Sequence, residues 1–157
     1  MHFRGVSGAG KSSFLRMLVG LSSSSAINRN EELSLAYMPQ DLAPMKGTLL
    51  ENALLFDPNF RVESFKALAQ SIDLRKRLDD SIENLSGGEL QKFYLILVLS
   101  SKADIIVLDE PVSAMDSLSI DLVLNTLDSL ESGVFIVAHN INRDYNKLSF
   151  YDIKGIS

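Results

Sequence analysis

Residues 5–12 read Gly5-Val6-Ser7-Gly8-Ala9-Gly10-Lys11-Ser12, with glycine at the first, fourth and sixth places and a lysine and a hydroxyl at the end. Glycines let the backbone N–H groups turn toward one point with no side chain in the way. Phe14, Leu15, Leu18 and Val19 follow at helical spacing. The run therefore opens a helix, whose N-terminal donors and dipole favour an anion. A loop of this pattern is a phosphate cradle. In it Gly5, Ser7, Gly8, Ala9, Gly10 and Ser13 would line the anion. Lys11 would reach the β- and γ-phosphates of a nucleotide, and the Ser12 hydroxyl would ligate Mg²⁺.

The charge is placed accordingly. The chain has 157 residues, with 15 Lys and Arg against 20 Asp and Glu, a net charge of −5. Residues 1–30 hold Arg4, Lys11, Arg16 and Arg29 and no acid. A cationic, glycine-containing segment on an acidic protein suggests an anion site. The net acidity argues against nucleic acid as a partner, since such binding leaves a basic footprint. At 46% hydrophobic and 22% charged residues, the chain reads as one globular domain, not a disordered, collagen-like or coiled-coil chain. It has no cysteine, which excludes disulfide scaffolds, cysteine-ligated zinc and thiol catalysis. The longest apolar run, residues 93–99, is far short of the roughly 20 residues of a bilayer span. No basic-then-apolar secretion signal opens the chain.

Helix and strand patterns alternate. Residues 48–56 begin with Thr48-x-x-Glu51, a capping box. Val62, Phe65, Leu68, Ala69 and Ile72 form a helical stripe, and residues 89–99 are apolar nearly all round and should be buried. Ile120, Val123, Leu124, Leu127 and Leu130 form a further helix, read as closed by Gly133. Residues 105–108 and 134–138 are uninterrupted apolar runs, suited to parallel strands covered on both faces. Residues 33–38 and 148–153 are weaker strand candidates. Between Gln40 and Leu85 the pattern is helical with no good strand.

Two further motifs carry chemistry. Ile105-Ile106-Val107-Leu108-Asp109-Glu110-Pro111 is an apolar strand ending in two acids. Asp109 would hold Mg²⁺, and Glu110 would polarise a water as general base. Leu85-Ser86-Gly87-Gly88-Glu89 opens the buried helix with a second capping box. The cap does not account for two successive glycines, each costing up to about 1 kcal/mol in a helix. They suit a close approach to the backbone, such as a second phosphate group at this helix N-terminus.

On these motifs the chain resembles the ATP-binding cassette (ABC) ATPases, the motor subunits or domains of ABC transporters. Residues 85–89 resemble their LSGGQ signature, with Glu89 in the glutamine's place. The family order is glycine loop, Q-loop glutamine, signature, acidic strand end, D-loop and switch histidine. Here it is met by Lys11, Gln40 in Met38-Pro39-Gln40, Ser86, Asp109 with Glu110, Ser113-Ala114-Met115-Asp116, and His139. The resemblance covers essentially the whole chain. It implies an α/β P-loop nucleoside triphosphate hydrolase with a mainly parallel sheet flanked by helices and a helical subdomain insertion. Residues 1–40 and 91–157 would form the nucleotide-binding core, and residues 41–90 the helical subdomain with the signature. It also implies ATP and Mg²⁺, with Gln40 touching the ion or the attacking water and His139 holding Glu110 and the water in register. Ser86, Gly87, Gly88 and Glu89 would meet the γ-phosphate held by a second ABC ATPase domain in a head-to-tail dimer, and Asp116 would lie at that interface. A transmembrane domain or subunit would be the other partner, and the cytoplasmic face of a membrane the place of work. Lys46-Gly47-Thr48-Leu49-Leu50-Glu51-Asn52-Ala53 is similar to a GT-x-x-EN stretch of exporter-type cassettes, which points to export.

The chain also departs from the family. Members have two more strands before the glycine loop, one bringing an aromatic residue that stacks on adenine. Residues 1–4 offer only a stub of the strand that feeds the loop. The span between Lys11 and Gln40 is short, an arginine common after the signature is Leu97 here, and the chain stops soon after the strand beyond His139. These departures lead us to expect the C-terminal piece of a longer transporter. The rival readings are a truncated, non-catalytic nucleotide-binding or interaction module, and an ATPase of the chromosome-maintenance and DNA-repair kind. The latter usually carries long coiled coils, and no heptad run is present here.

Overall fold

The computed structural model describes residues 2–4, 10–21, 32–138 and 150–152; Gly5, Ser7, Gly8, Ala9 and His139 lie outside them. Among the described residues, five strands form one sheet: β1 (His2–Arg4), β2 (Leu35–Met38), β3 (Ile105–Asp109), β4 (Gly133–Val137) and β5 (Phe150–Asp152). Their order is β2-β3-β4-β1-β5, and every pairing is parallel. Among the same residues the α-helices are α1 (Lys11–Leu18), α2 (Leu49–Phe56), α3 (Val62–Ser71), α4 (Gly87–Ser100) and α5 (Ser117–Asp128). A 3₁₀ turn spans Ile82–Asn84.

The strands show why the runs at 105–108 and 134–138 are apolar throughout. Side chains alternate between the faces of a sheet, and here each face has its own core. Ala36, Met38, Ile106, Leu108 and Ile136 join the large cluster built with α2, α3, α4 and α5. Val107 and Val137 join Leu15 of α1, with Leu35, Tyr37, Ile105 and Phe135 packed against them. The sheet is thus covered on both sides, as a parallel sheet must be.

α4 runs through the large cluster. Phe93 and residues 95–99 are all buried. The Phe93 ring meets Phe65 edge-on at 6.2 Å and Tyr94 at 5.7 Å. Leu97, where the family has arginine, is 2% exposed and is simply part of this core.

Several boundaries differ from the sequence reading: the run at 134–138 is the strand Gly133–Val137, with Ala138 past its end, and the run at 105–108 extends to Asp109. The fifth helix ends at Asp128, where Ser129 and Leu130 fold back to the carbonyls of Thr126 and Leu127. Gly133 does not close it; its N–H bonds the Asp104 carbonyl at 2.9 Å and opens β4. Leu33 is exposed and lies outside β2. The strand begins after Ser34, whose N–H and hydroxyl donate to one Asp104 carboxylate oxygen at 2.8 and 2.6 Å, fixing the start of β2 beside β3. In the helical stretch between Gln40 and Leu85, the described residues make only an isolated bridge, Thr48 to Ser81.

Both capping boxes form. Thr48 Oγ1 accepts from Glu51 N at 3.2 Å while Glu51 accepts from Thr48 N at 2.7 Å. Ser86 Oγ accepts from Glu89 N at 3.3 Å while Glu89 accepts from Ser86 N at 2.8 Å. Those backbone donors, and Lys76 beside Glu89, hold both carboxyls below their ordinary 4.5. A carboxyl depressed by folding adds stability that is present above its unfolded value and lost as pH falls through the folded one. The urea midpoint followed by circular dichroism is therefore expected to fall below pH 4.5, and to fall less when both glutamates are replaced by glutamine. Equal acid sensitivity in that double variant would show that the caps do not carry the effect.

Candidate functional site

Parallel strands gather their carboxyl ends on one edge, where α/β proteins bind ligands. β3 ends there in Asp109, flanked by the ends of β2 and β4. The register pairs Met38 with Leu108, so Gln40, exposed in the next two residues, lies past the same edge. The N-terminus of α1 faces this edge. Gly10 precedes the helix with φ 80°, a left-handed backbone that favours glycine. Lys11 is 6% exposed, an unusual burial for a lysine that suits a site for an anion.

Asp109 is 1% exposed, and among the described residues its Oδ1 has no hydrogen-bond partner. Burial pushes its pKa up, against the Ser12 hydroxyl, Arg16 and Lys11, which favour the carboxylate. A buried carboxylate oxygen without a donor, beside a hydroxyl, fits a hard cation held by oxygen ligands. The donor set of Ser12 and Asp109 thus agrees with Mg²⁺.

Glu110 follows with φ 53°, a left-handed conformation that costs a non-glycine residue roughly 1–2 kcal/mol. Its own N–H, bonded to the Val137 carbonyl at 2.8 Å, holds it there. The kink takes Glu110 out of the strand's alternation while keeping it buried at 8% exposure.

The glycine pair at 87–88 lies elsewhere. Ser86, Gly87, Gly88, Glu89, Lys92 and Asp116 border a cleft of about 400 Å³ between α4 and the segment before α5, and its lining includes none of Lys11, Ser12 and Asp109. A Cβ on Gly88 would lie 2.8 Å from the Ala114 carbonyl oxygen. The close approach that a glycine permits here is made by the chain's own backbone. Gly87 meets only Ala114 Cβ, at an ordinary 3.7 Å. Asp116 caps α5, accepting from Ser119 N and Oγ, both at 2.9 Å. Glu89 is paired with Lys76 at 3.2 Å, so the acid that replaces the usual glutamine has a counter-charge.

Sequence reasoning missed Gln91. It is the polar residue among the buried ones of α4. Its Nε2 donates to Ser113 Oγ at 2.7 Å and to the Glu110 carbonyl at 3.3 Å, and its Oε1 accepts from Ala114 N at 2.9 Å. The available signal was a single amide side chain on a helix that is otherwise mostly apolar, since a buried polar group is there to be bonded.

The chain is similar to known proteins in sequence and in fold. The family model described as ABC transporter matches residues 1–113. The zinc import ATP-binding protein ZnuC of Rickettsia bellii is 32% identical over 146 residues, covering 87% of this chain and 63% of that protein. The translation initiation factor RLI1 of Chaetomium thermophilum is 34% identical over 120 residues, 72% of this chain and 19% of that one. The chain thus spans less than two thirds of these relatives. A bacterial Atm1-family ABC exporter with ATP bound has the same fold at TM-score 0.82 and 19% identity, covering 98% of this chain and 32% of that one. The parallel sheet flanked by helices, the fold likeness and the family match agree: this chain is an α/β P-loop domain and belongs to the ABC transporter family.

Proposed function

We propose that this chain binds ATP and, paired head to tail with a second ABC ATPase domain, hydrolyses it to power transport across a membrane. The observation that carries the reading is the buried Asp109, with one oxygen unpartnered among the described residues, beside Ser12 and Lys11 at the N-terminus of α1. Gly5, Ser7, Gly8, Ala9, Gly10 and Ser13 would cradle the phosphates, with Lys11 on the β- and γ-oxygens. Ser12, Gln40 and Asp109 would hold Mg²⁺, which when bound offsets phosphate charge. Glu110 takes the proton of the attacking water, and His139 and Gln40 keep that water in line. Ser86, Gly87, Gly88 and Glu89 would meet the γ-phosphate bound by the partner domain, with Asp116 at the joint. The separation of their cleft from the Lys11–Asp109 site supports completion in trans.

A membrane-embedded partner is supported by α2, which leaves Leu50, Leu54, Leu55 and Phe56 exposed on a segment outside the sheet. Among the described residues no helix is long and apolar enough to cross a membrane, so the span would belong to a transmembrane domain or subunit. The chain would work at its cytoplasmic face, residues 41–90 acting as the helical subdomain. Export has the exporter-like 46–53 stretch as its support. Much of that stretch also has a local use: Thr48 and Glu51 cap α2, and Asn52 ties Met45 and Thr48. A second reading, an ABC ATPase working apart from membranes, is favoured by the 34% identity to RLI1.

The test is Mg·ATP turnover against protein concentration. Turnover rising faster than linearly is expected, because each site needs a partner's signature. Strictly proportional turnover from protein that stays monomeric at the same concentrations would rule out completion in trans, and well-folded protein without turnover would favour the non-catalytic module.

A further inference from the structure

α4 and the segment after β3 meet at two kinds of contact. The first turn of α4 lies so close to Ala114 that a Cβ on Gly88 would sit 2.8 Å from its carbonyl oxygen. One turn on, Gln91 is 7% exposed and bonds three points of the 110–114 segment. The Glu110 carbonyl is one of them. Glu110 is therefore held from both sides, by Val137 at its N–H and by Gln91 at its carbonyl. A strained backbone of this kind persists only where its surroundings over-determine it.

The cleft residues Ser86 and Gly88 and the acid Glu110 serve different nucleotide sites in the reading above, on which this inference rests. Within one chain they are separated by a single side chain. We propose that Gln91 is a positioning residue that makes the first turn of α4 and the segment 110–115 one moving part, so that occupancy at Ser86–Gly88 is felt at Glu110. Gln91 is not part of the lining of the Ser86–Gly88 cleft. It transmits position because its side chain is buried and its bond to the Glu110 carbonyl is buried with it, so that breaking that bond leaves polar groups unpaired.

The test is a thermodynamic cycle read by amide exchange. Ser86→Ala removes the cap of α4, and the Met115 amide, bonded to the Val112 carbonyl at 3.1 Å, reports on the other side of the joint. With Gln91 in place, Ser86→Ala is expected to speed exchange at Met115 about fivefold, the size of a lost N-cap. In the Gln91→Met background, which keeps side-chain length and removes all three bonds, the acceleration is expected to vanish. Equal acceleration in both backgrounds overturns the proposal. Should Gln91→Met fail to fold, Ser113→Ala removes the shortest of the three bonds from an exposed residue. It is expected to weaken the acceleration, and an undiminished effect there overturns the proposal equally. Gln91→Met alone is expected to lower the Hill coefficient for ATP toward one, while single-site ATP affinity stays within about twofold. Absent turnover in the unsubstituted chain would strike the ATPase reading alone, because the exchange cycle needs no hydrolysis.

Discussion

Glu110→Gln is expected to lower ATP turnover by about 10²–10⁴-fold, the usual worth of a general base, and to leave ATP binding unchanged. The substitution suits this position. Glutamine matches glutamate in shape, so the bond from the residue's N–H to Val137, and that from Gln91 to its carbonyl, stay as they are. The left-handed φ of 53° is equally strained for either residue. What changes is the ability to take a proton. Single-turnover hydrolysis and equilibrium ATP binding, measured on the same preparation, separate the two effects. Hydrolysis at the unsubstituted rate would remove Glu110 from the mechanism. Loss of binding in step with turnover would assign it to the cradle instead.

Phe93→Ala carries the largest expected cost in stability. The ring is fully buried in α4 and packs edge-on against Phe65 and Tyr94. Truncating a buried phenylalanine costs roughly 3–5 kcal/mol, against a total stability of roughly 5–15 kcal/mol for a domain. The urea midpoint should fall steeply, or the cooperative transition should disappear. Leu55→Ala is the matched control: Leu55 is 63% exposed, and its loss should change stability by less than about 0.5 kcal/mol. A Phe93→Ala loss under about 1 kcal/mol would mean the cluster collapses around the gap, and that α4 is not the pillar its burial suggests.

Much of this molecule can be read directly from its residues, and the reason is local. The two capping boxes are fixed by side chains three positions apart. The central strands announce themselves because burial on both faces forces unbroken apolar runs, and the glycine before Lys11 because its φ of 80° suits no other residue well. What escaped depends on contacts distant in the sequence. Gln91 finds its partners 19 to 23 residues away, and Glu89 finds Lys76 across the turn before α4. The closeness of Gly88 to Ala114 is likewise invisible in either segment alone. The end of α5 was misplaced because Gly133, an ordinary helix stop by type, is used by β4 to reach Asp104.

The alternation of the strands sets a rule for the gene. In β3, Val107 points to the α1 side while Ile106 and Leu108 point to the other. Asp109, one step further, falls on the α1 side and meets Ser12. Which apolar residues fill residues 105–108 matters little to that outcome; how many there are matters a great deal. Gaining or losing one codon would turn the acid toward the large cluster or, were the acid to keep its place, exchange the faces of the strand side chains before it. β3 can therefore drift widely by substitution, while a change of length by a single residue would cost either the core or the acid's place beside Ser12.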